Sequence, residues 1–236
     1  MRAIVFRHTT VDGLGTIEPV LERAGFSYQY IDAHSADFSG LDPLTADLLI
    51  VLGGTPGVYQ KDDYPFFKEE MKQIEARLAQ DLPVLGICLG AQMMAHVLGS
   101  RVYPGEQGSE RGWFPLRVNE EGMKTPVRHL DGEHTHMACW HGDTFDFPAG
   151  AKLLASSDLY ENQIFTYGKN ALGLQCHAEA TPRILMDWFV GSAGRVYNKE
   201  INLPELRAQT EKHSGSLMAQ TEKFLLEWLE QRDWKR

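Results

Sequence analysis

Cys88 lies between two glycines, in the stretch Gly86-Ile87-Cys88-Leu89-Gly90. The apolar run Val84 to Ile87 predicts a buried strand, and Leu89 to Leu98 predicts a helix that follows without a spacer, with Gly99 as its stop. A cysteine at such a strand-to-helix junction has the pattern of a nucleophile elbow, where the sharp turn leaves little room for a Cβ on either flank. The N–H groups and partial positive charge of the helix start favour thiolate over thiol, and thiolate is the reactive form. A thiolate nucleophile needs a base and a group that orients the base. The end of the apolar strand Gly173-Leu174-Gln175-Cys176 supplies His177, and Glu179 follows two residues on. An acyl-transfer site also needs donors for an oxyanion. The N–H of Leu89 follows the nucleophile directly, and the Gly53-Gly54 turn ends another apolar strand and offers a second N–H. Gln92 stands one helical turn after Cys88 and can face the same pocket. Each feature also has an ordinary structural reading: a buried core cysteine, a solvated histidine, a helix-start glutamate, a tight turn and a surface glutamine.

The stretch from Glu133 to His141 carries four potential metal ligands, His134, His136, Cys139 and His141. In a regular strand His134 and His136 share one parity and Cys139 and His141 the other, and no Cys-x-x-Cys or His-Glu-x-x-His spacing occurs. No metal site and no cofactor are expected.

Around these residues the chain opens as strand, helix, strand. Ala3 to Phe6 and Phe26 to Ile31 read as strands about a helix from Thr16 to Ala24 that Gly25 stops. Asp47 to Leu52 is the clearest strand, and Tyr64 to Gln80 an amphipathic helix with Phe67, Met71, Ile74 and Leu78 on one stripe. This alternation predicts a parallel sheet with right-handed crossovers. Past Gly99 come short strand candidates at Arg101 to Tyr103, Trp113 to Val118, His134 to His141, Leu153 to Ser156, Ile164 to Tyr167 and Ala171 to Cys176. Antiparallel pieces are therefore expected beside the parallel core. Pro182 opens a helix running to about Val190, Gly191 to Asn202 reads as a loop, and Leu203 to Trp234 as mostly helical. The apolar side of that last helix is expected to pack on the core.

The chain has 236 residues, 43% hydrophobic and 23% charged, as in an ordinary globular α/β protein of one domain. A formal net charge of −9 and the lack of a dense Lys/Arg run argue against a nucleic-acid surface. The apolar start is too short for a signal peptide, no run approaches the length of a membrane span, and three cysteines suit a reducing compartment. The expected location is the cytoplasm, with no membrane partner.

Four blocks taken together give the chain a wider resemblance. They are Val51 to Tyr59, Pro83 to Gln92, Trp140-His141-Gly142-Asp143-Thr144-Phe145, and Gly173 to Glu179. In this order they resemble the class I, triad-type glutamine amidotransferases, and most of all free-standing domains like the amidotransferase part of GMP synthase. The resemblance covers about Ala3 to Val190. It implies a three-layer, flavodoxin-like fold with an open, mostly parallel sheet, an added antiparallel portion and a C-terminal helical extension. The whole of 1–236 would be a single amidotransferase domain, with a core of about 1–190 and an extension of about 191–236. The resemblance further implies Cys88 as nucleophile, His177 as base, Glu179 as its orienter, Gly54 and Leu89 as backbone oxyanion donors, and Gln92, Gly142 and Asp143 around bound glutamine. L-glutamine would then be cleaved to glutamate and ammonia, with the ammonia passed to a separate synthase subunit where one exists. A γ-glutamyl peptidase or hydrolase using the same triad is the rival within enzymes. A catalytically silent binding or regulatory module would lack one of the three groups, and all three are present. Two departures stand out: Thr55 replaces the usual proline after Gly-Gly, and Ala178 the usual proline between His177 and Glu179.

Overall fold

The structure is a computed structural model that describes residues 1–232 and residue 234, so the last residues of the expected extension lie outside the described ones. The first half alternates strands and helices: β1 (Arg2–Arg7), α1 (Ile17–Arg23), β2 (Ser27–Asp32), β3 (Leu48–Val51), α2 (Phe66–Ala79), β4 (Val84–Ile87) and α3 (Leu89–Val97). Shorter pieces follow: β5 (Val102–Pro104), β6 (Glu110–Pro115), β7 (Arg117–Val118), α4 (Glu120–Met123), β8 (His136–His141) and β9 (Asp143–Phe145). The chain then runs through β10 (Lys152–Ser156), β11 (Ile164–Tyr167), β12 (Ala171–Leu174), α5 (Pro182–Gly191), α6 (Ala193–Tyr197) and α7 (Leu203–Glu230).

Eight strands form the central sheet in the order β2-β1-β3-β4-β12-β11-β10-β7. The first five run parallel, and β11, β10 and β7 close one edge antiparallel. Two antiparallel ribbons, β5–β9 and β6–β8, are the added β portion.

The inner parallel strands β3, β4 and β12, and the middle of β1, are buried on both faces because helices cover both. Ala3 and Val5 of β1 join a core with Ile17, Val20 and Leu21 of α1 and Leu185 and Phe189 of α5. Ile4 and Phe6 face the opposite core, with Phe67, Met71, Ile74 and Leu78 of α2 and Met93 and Met94 of α3. The fold is thus a three-layer helix–sheet–helix stack. α7 buries Leu217, Phe224, Leu225, Trp228 and Leu229 in the first core, so its apolar side packs on the body as expected. Gly25 and Gly99 take positive φ (79° and 93°) just past α1 and α3, the left-handed conformation that ends a helix.

Three expectations shift. The strand expected from Trp113 to Val118 is two strands, β6 and β7. Pro115 cannot donate to a ladder, and the Leu116 carbonyl accepts from Gly132 N–H at 2.8 Å. His134 falls outside β8, in a turn where Asp131 accepts from the N–H groups of Glu133, His134 and Thr135, so the parity argument made with it does not apply. The loop expected over Gly191 to Asn202 contains α6.

Candidate active site

The register of the parallel strands assembles the site. Ile87 of β4 lies beside Leu174 of β12, and Gly86 beside Val51 of β3, which itself pairs with Phe6 of β1. The residues that follow these strands therefore emerge together at the carboxyl edge of the sheet, where open α/β sheets bind ligands. They are His8, Gly53 and Gly54, Cys88, and His177 with Glu179.

Cys88 turns the chain from β4 into α3 with φ 50° and ψ −106°, a conformation costly for any residue with a Cβ. Its N–H donates to Leu174 O at 2.7 Å, and its carbonyl accepts from Gln92 N–H at 3.0 Å. The flanking glycines are there for space. A Cβ on Gly90 would lie 2.1 Å from the Val51 carbonyl oxygen, and one on Gly86 2.5 Å from Met94 Sδ. The Leu89 side chain turns into the core, while its N–H has no protein acceptor among the described residues.

His177 is anchored from two sides. Its N–H donates to Ala138 O of β8 at 2.8 Å, and Nδ1 lies 2.7 Å from Glu179 Oε1. Trp188 of α5 meets the ring edge-on at 4.6 Å between centroids. Burial pulls the His177 pKa down, but the charges of Glu179 and Cys88 outweigh it and raise it to about 10. Nε2 has no hydrogen-bond partner among the described residues, so it is free to face Cys88 and whatever binds there.

The backbone around Ala178 is held by neighbouring elements. The Ala178 carbonyl accepts from Thr221 Oγ1 of α7 at 3.0 Å, and the Glu179 carbonyl from Thr16 N–H at 3.0 Å. These bonds do what a proline's fixed φ would otherwise do.

Gly53 packs between the two groups. A Cβ there would lie 3.1 Å from His177 Cε1 and 3.5 Å from Cys88 Cβ. Gly54 abuts Leu89 and His8, and its N–H, like that of Leu89, has no protein acceptor among the described residues. Gln92 is buried and lines the cleft, with Nε2 donating to Gln175 Oε1 at 3.1 Å. Gly142 and Asp143 form part of the opposite wall. Burial pushes the Asp143 carboxyl up, partly offset by Tyr59. The cleft encloses about 830 Å³, and Thr55, Pro56, Arg111, Trp140 and Arg195 also line it. The three cysteines are free. Burial pushes the Cys139 and Cys176 thiols up, which leaves them poor nucleophiles.

Sequence reasoning missed two buried histidine–carboxylate pairs behind the site. His8 bridges Gly53 O (2.7 Å) and Glu70 Oε2 (3.1 Å). His141 bridges Asp143 O (3.0 Å) and Glu110 Oε2 (2.9 Å). The place of His8 just past β1, on the ligand edge of a parallel sheet, was the available signal. Glu110, Cys139 and His141 bring potential metal-ligand atoms within 4.8 Å of one another. The Glu110 carboxylate already accepts from Ser157 (2.6 Å) and Gln163 (2.6 Å) and faces His141, so hydrogen bonds fill this cluster.

The family model described as glutamine amidotransferase class-I matches residues 16–186. A glutamine amidotransferase from Thermotoga maritima has a crystal structure that superposes with a TM-score of 0.87. It is 33% identical and the match covers 97% of this chain and 98% of that one. The glutamine amidotransferase-like protein YfeJ of Salmonella typhimurium is 27% identical over 184 residues, 77% of each chain. A glutamine-hydrolysing GMP synthase of Prochlorococcus marinus is 31% identical over 134 residues, 55% of this chain and 23% of the synthase. Both the extent of the family match and the shared fold lead to one conclusion: the chain belongs to the glutamine amidotransferase class-I family.

Proposed function

We propose that the chain hydrolyses the side-chain amide of L-glutamine through a γ-glutamyl thioester on Cys88, giving glutamate and ammonia. One observation carries this reading: Cys88 on its strained elbow adjoins a buried His177 whose Nδ1 is held 2.7 Å from Glu179. The Cys88 thiolate attacks the amide carbon, and the N–H groups of Gly54 and Leu89 receive the developing oxyanion. The protonated His177 gives its proton to the departing nitrogen, and ammonia leaves. Neutral His177 then takes a proton from water, whose oxygen attacks the thioester. Glutamate departs, and thiolate and imidazolium are restored. Glu179 fixes the ring and stabilises its charge. Gln92, Gly142 and Asp143 hold the glutamyl part of the substrate. The reaction consumes only water, so neither metal nor cofactor enters it. Residues 1–236 act as one amidotransferase domain, a reading supported by the burial of α7 against α1 and α5 in a common core. Where ammonia is used, a separate synthase subunit receives it. Among the described residues no helix is long and apolar enough to cross a membrane, and the proposed location is the cytoplasm.

A second reading, a γ-glutamyl peptidase, is favoured by the breadth of the cleft. Its lining includes Arg111, Trp140 and Arg195, beyond what an ammonia leaving group needs. Assaying glutamine against γ-glutamyl peptides, with glutamate and ammonia as readouts, separates the two. Cys88→Ala should abolish both turnover and labelling by a glutamine-analogue electrophile. Labelling that persists at Cys139 or Cys176 rejects Cys88 as nucleophile.

A further inference from the structure

Both residues of the Gly53–Gly54 turn are glycines for steric reasons. A Cβ at Gly53 would press on His177 and Cys88, and one at Gly54 would come within 2.7 Å of Leu89 Cδ2 and 2.9 Å of His8 Cγ. A peptide between two glycines has little of its own to hold its orientation, since neither flank restricts rotation about it. Its direction must be set from outside.

His8 is placed to set it. The ring is buried, and Nδ1 lies 2.7 Å from Gly53 O. A carbonyl oxygen only accepts, so Nδ1 carries the proton. Nε2 lies 3.1 Å from Glu70 Oε2, and Glu70 is fully buried on α2. Phe67, one turn before on the same side of α2, meets the ring edge-on at 5.8 Å between centroids. The ring is therefore fixed in position, with a proton on Nδ1. The peptide is trans, so its N–H points opposite to its C=O. With Gly53 O drawn toward His8, the Gly54 N–H is turned away from His8, and Gly54 lines the same cleft as Cys88 and His177.

We propose that His8 is a positioning residue that, braced by Glu70, holds the Gly53–Gly54 peptide in the orientation that presents the Gly54 N–H as an oxyanion donor. This rests on the reading of Cys88 as an acyl-transfer nucleophile. Burial opposes a charge on His8, but Glu70 outweighs it and raises the His8 pKa. The Nδ1–H that donates to Gly53 O polarises the peptide and makes the Gly54 N–H a better donor.

The test uses two variants and three readouts. His8→Phe combined with Glu70→Met removes both polar groups together and strands no buried charge. His8→Asn keeps a side-chain N–H near the Nδ1 position. The double variant should lose about 10²-fold in kcat for glutamine, the typical loss for one oxyanion donor. Its KM should stay within about two-fold, because the donor acts on the transition state. Alkylation of Cys88 by iodoacetamide forms no oxyanion and should keep its wild-type rate. His8→Asn should recover at least about ten-fold of the lost kcat. A double variant with wild-type kcat, an equal fall in alkylation rate, or no recovery in His8→Asn overturns the proposal. Crystal structures of wild type and double variant give a readout independent of turnover. The Gly53 carbonyl should rotate, or take two orientations, once His8 is gone. A peptide that stays as in the wild type overturns the proposal whichever substrate the enzyme uses. Absence of γ-glutamyl hydrolysis by the wild type would instead reject the functional reading.

Discussion

His177 Nδ1 lies 2.7 Å from Glu179 Oε1, with only Ala178 between the two residues in the chain. Ala178 and Glu179 lie in a turn just after the isolated bridge that His177 makes to Ala138. That segment is pinned by Ala138 O, Thr221 Oγ1 and Thr16 N–H, so the contact is built in before substrate arrives. Glu179 is the largest influence raising the His177 pKa, to about 10, against the burial that lowers it, and Cys88 adds to it. Glu179→Gln removes the charge and keeps the shape. His177 in wild type holds its proton until the pH nears about 10, and in the variant it loses it earlier. The alkaline limb of kcat/KM should therefore move to lower pH in the variant. The stability this shift confers is fully present below the ordinary histidine pKa of 6.5 and fades as pH rises through about 10, so the variant's stability deficit should shrink over that window. An alkaline limb that does not move rejects the pairing as the cause.

The strain at Cys88 gives a prediction about stability alone. With φ 50° and ψ −106°, any residue with a Cβ is strained there and glycine is not. Cys88→Gly should be more stable than Cys88→Ala by about 1 kcal/mol or more, although glycine normally lowers stability by raising unfolded-state entropy. Urea denaturation of the two variants measures the difference. Equal midpoints, or a less stable glycine variant, would mean that the elbow is relaxed.

The parallel core was legible because helix and strand periods alternate cleanly up to Gly99, and both ends of β4 and α3 carry their own stop signals. The candidate site was legible where one residue type has few reasons to occur, as at the Gly-x-Cys-x-Gly elbow. What stayed hidden was long-range. Glu110 starts a strand that the apolar pattern only suggests from Trp113 onward, and its partners Ser157 and Gln163 lie far along the chain. Glu70 reads locally as one of several charged residues on α2, yet it is fully buried against His8 from another strand's end. Such pairs are set by sheet register, which no local pattern records. α6 was missed for a different reason: at five residues it is too short to show a period.

Glu110 and His141 suggest a distinct kinetic signature. His141 Nδ1 faces a carbonyl, Asp143 O, and so must donate, which ties the Gly142–Asp143 wall of the cleft to a ring held by Glu110. Glu110→Leu leaves the Ser157 and Gln163 donors buried without their acceptor, at a cost of about 3 kcal/mol or more. The wall it supports touches the proposed glutamyl site rather than the oxyanion, so KM should rise by more than kcat falls. A variant that keeps wild-type KM would detach this pair from substrate binding.

Thr221 links the last helix to the proposed triad. Its Oγ1 donates to Ala178 O at 3.0 Å, and the residue is fully buried. Thr221→Val keeps the volume and removes the donor, so the loss should be about one buried hydrogen bond, roughly 1 kcal/mol and a Tm lower by about 2–4 °C. The Glu179 carbonyl is still held by Thr16 N–H, so Glu179 shifts little and kcat should fall by less than about ten-fold. The comparison that isolates this contact from general loosening of α7 is Arg23→Ala. That change removes an exposed ion pair to Glu222, the residue next to Thr221, and should leave both Tm and kcat unchanged. If Thr221→Val behaves like Arg23→Ala, the helix merely covers the core. If Thr221→Val alone lowers Tm and slows turnover, α7 is part of the scaffold that holds His177 and Glu179 in place.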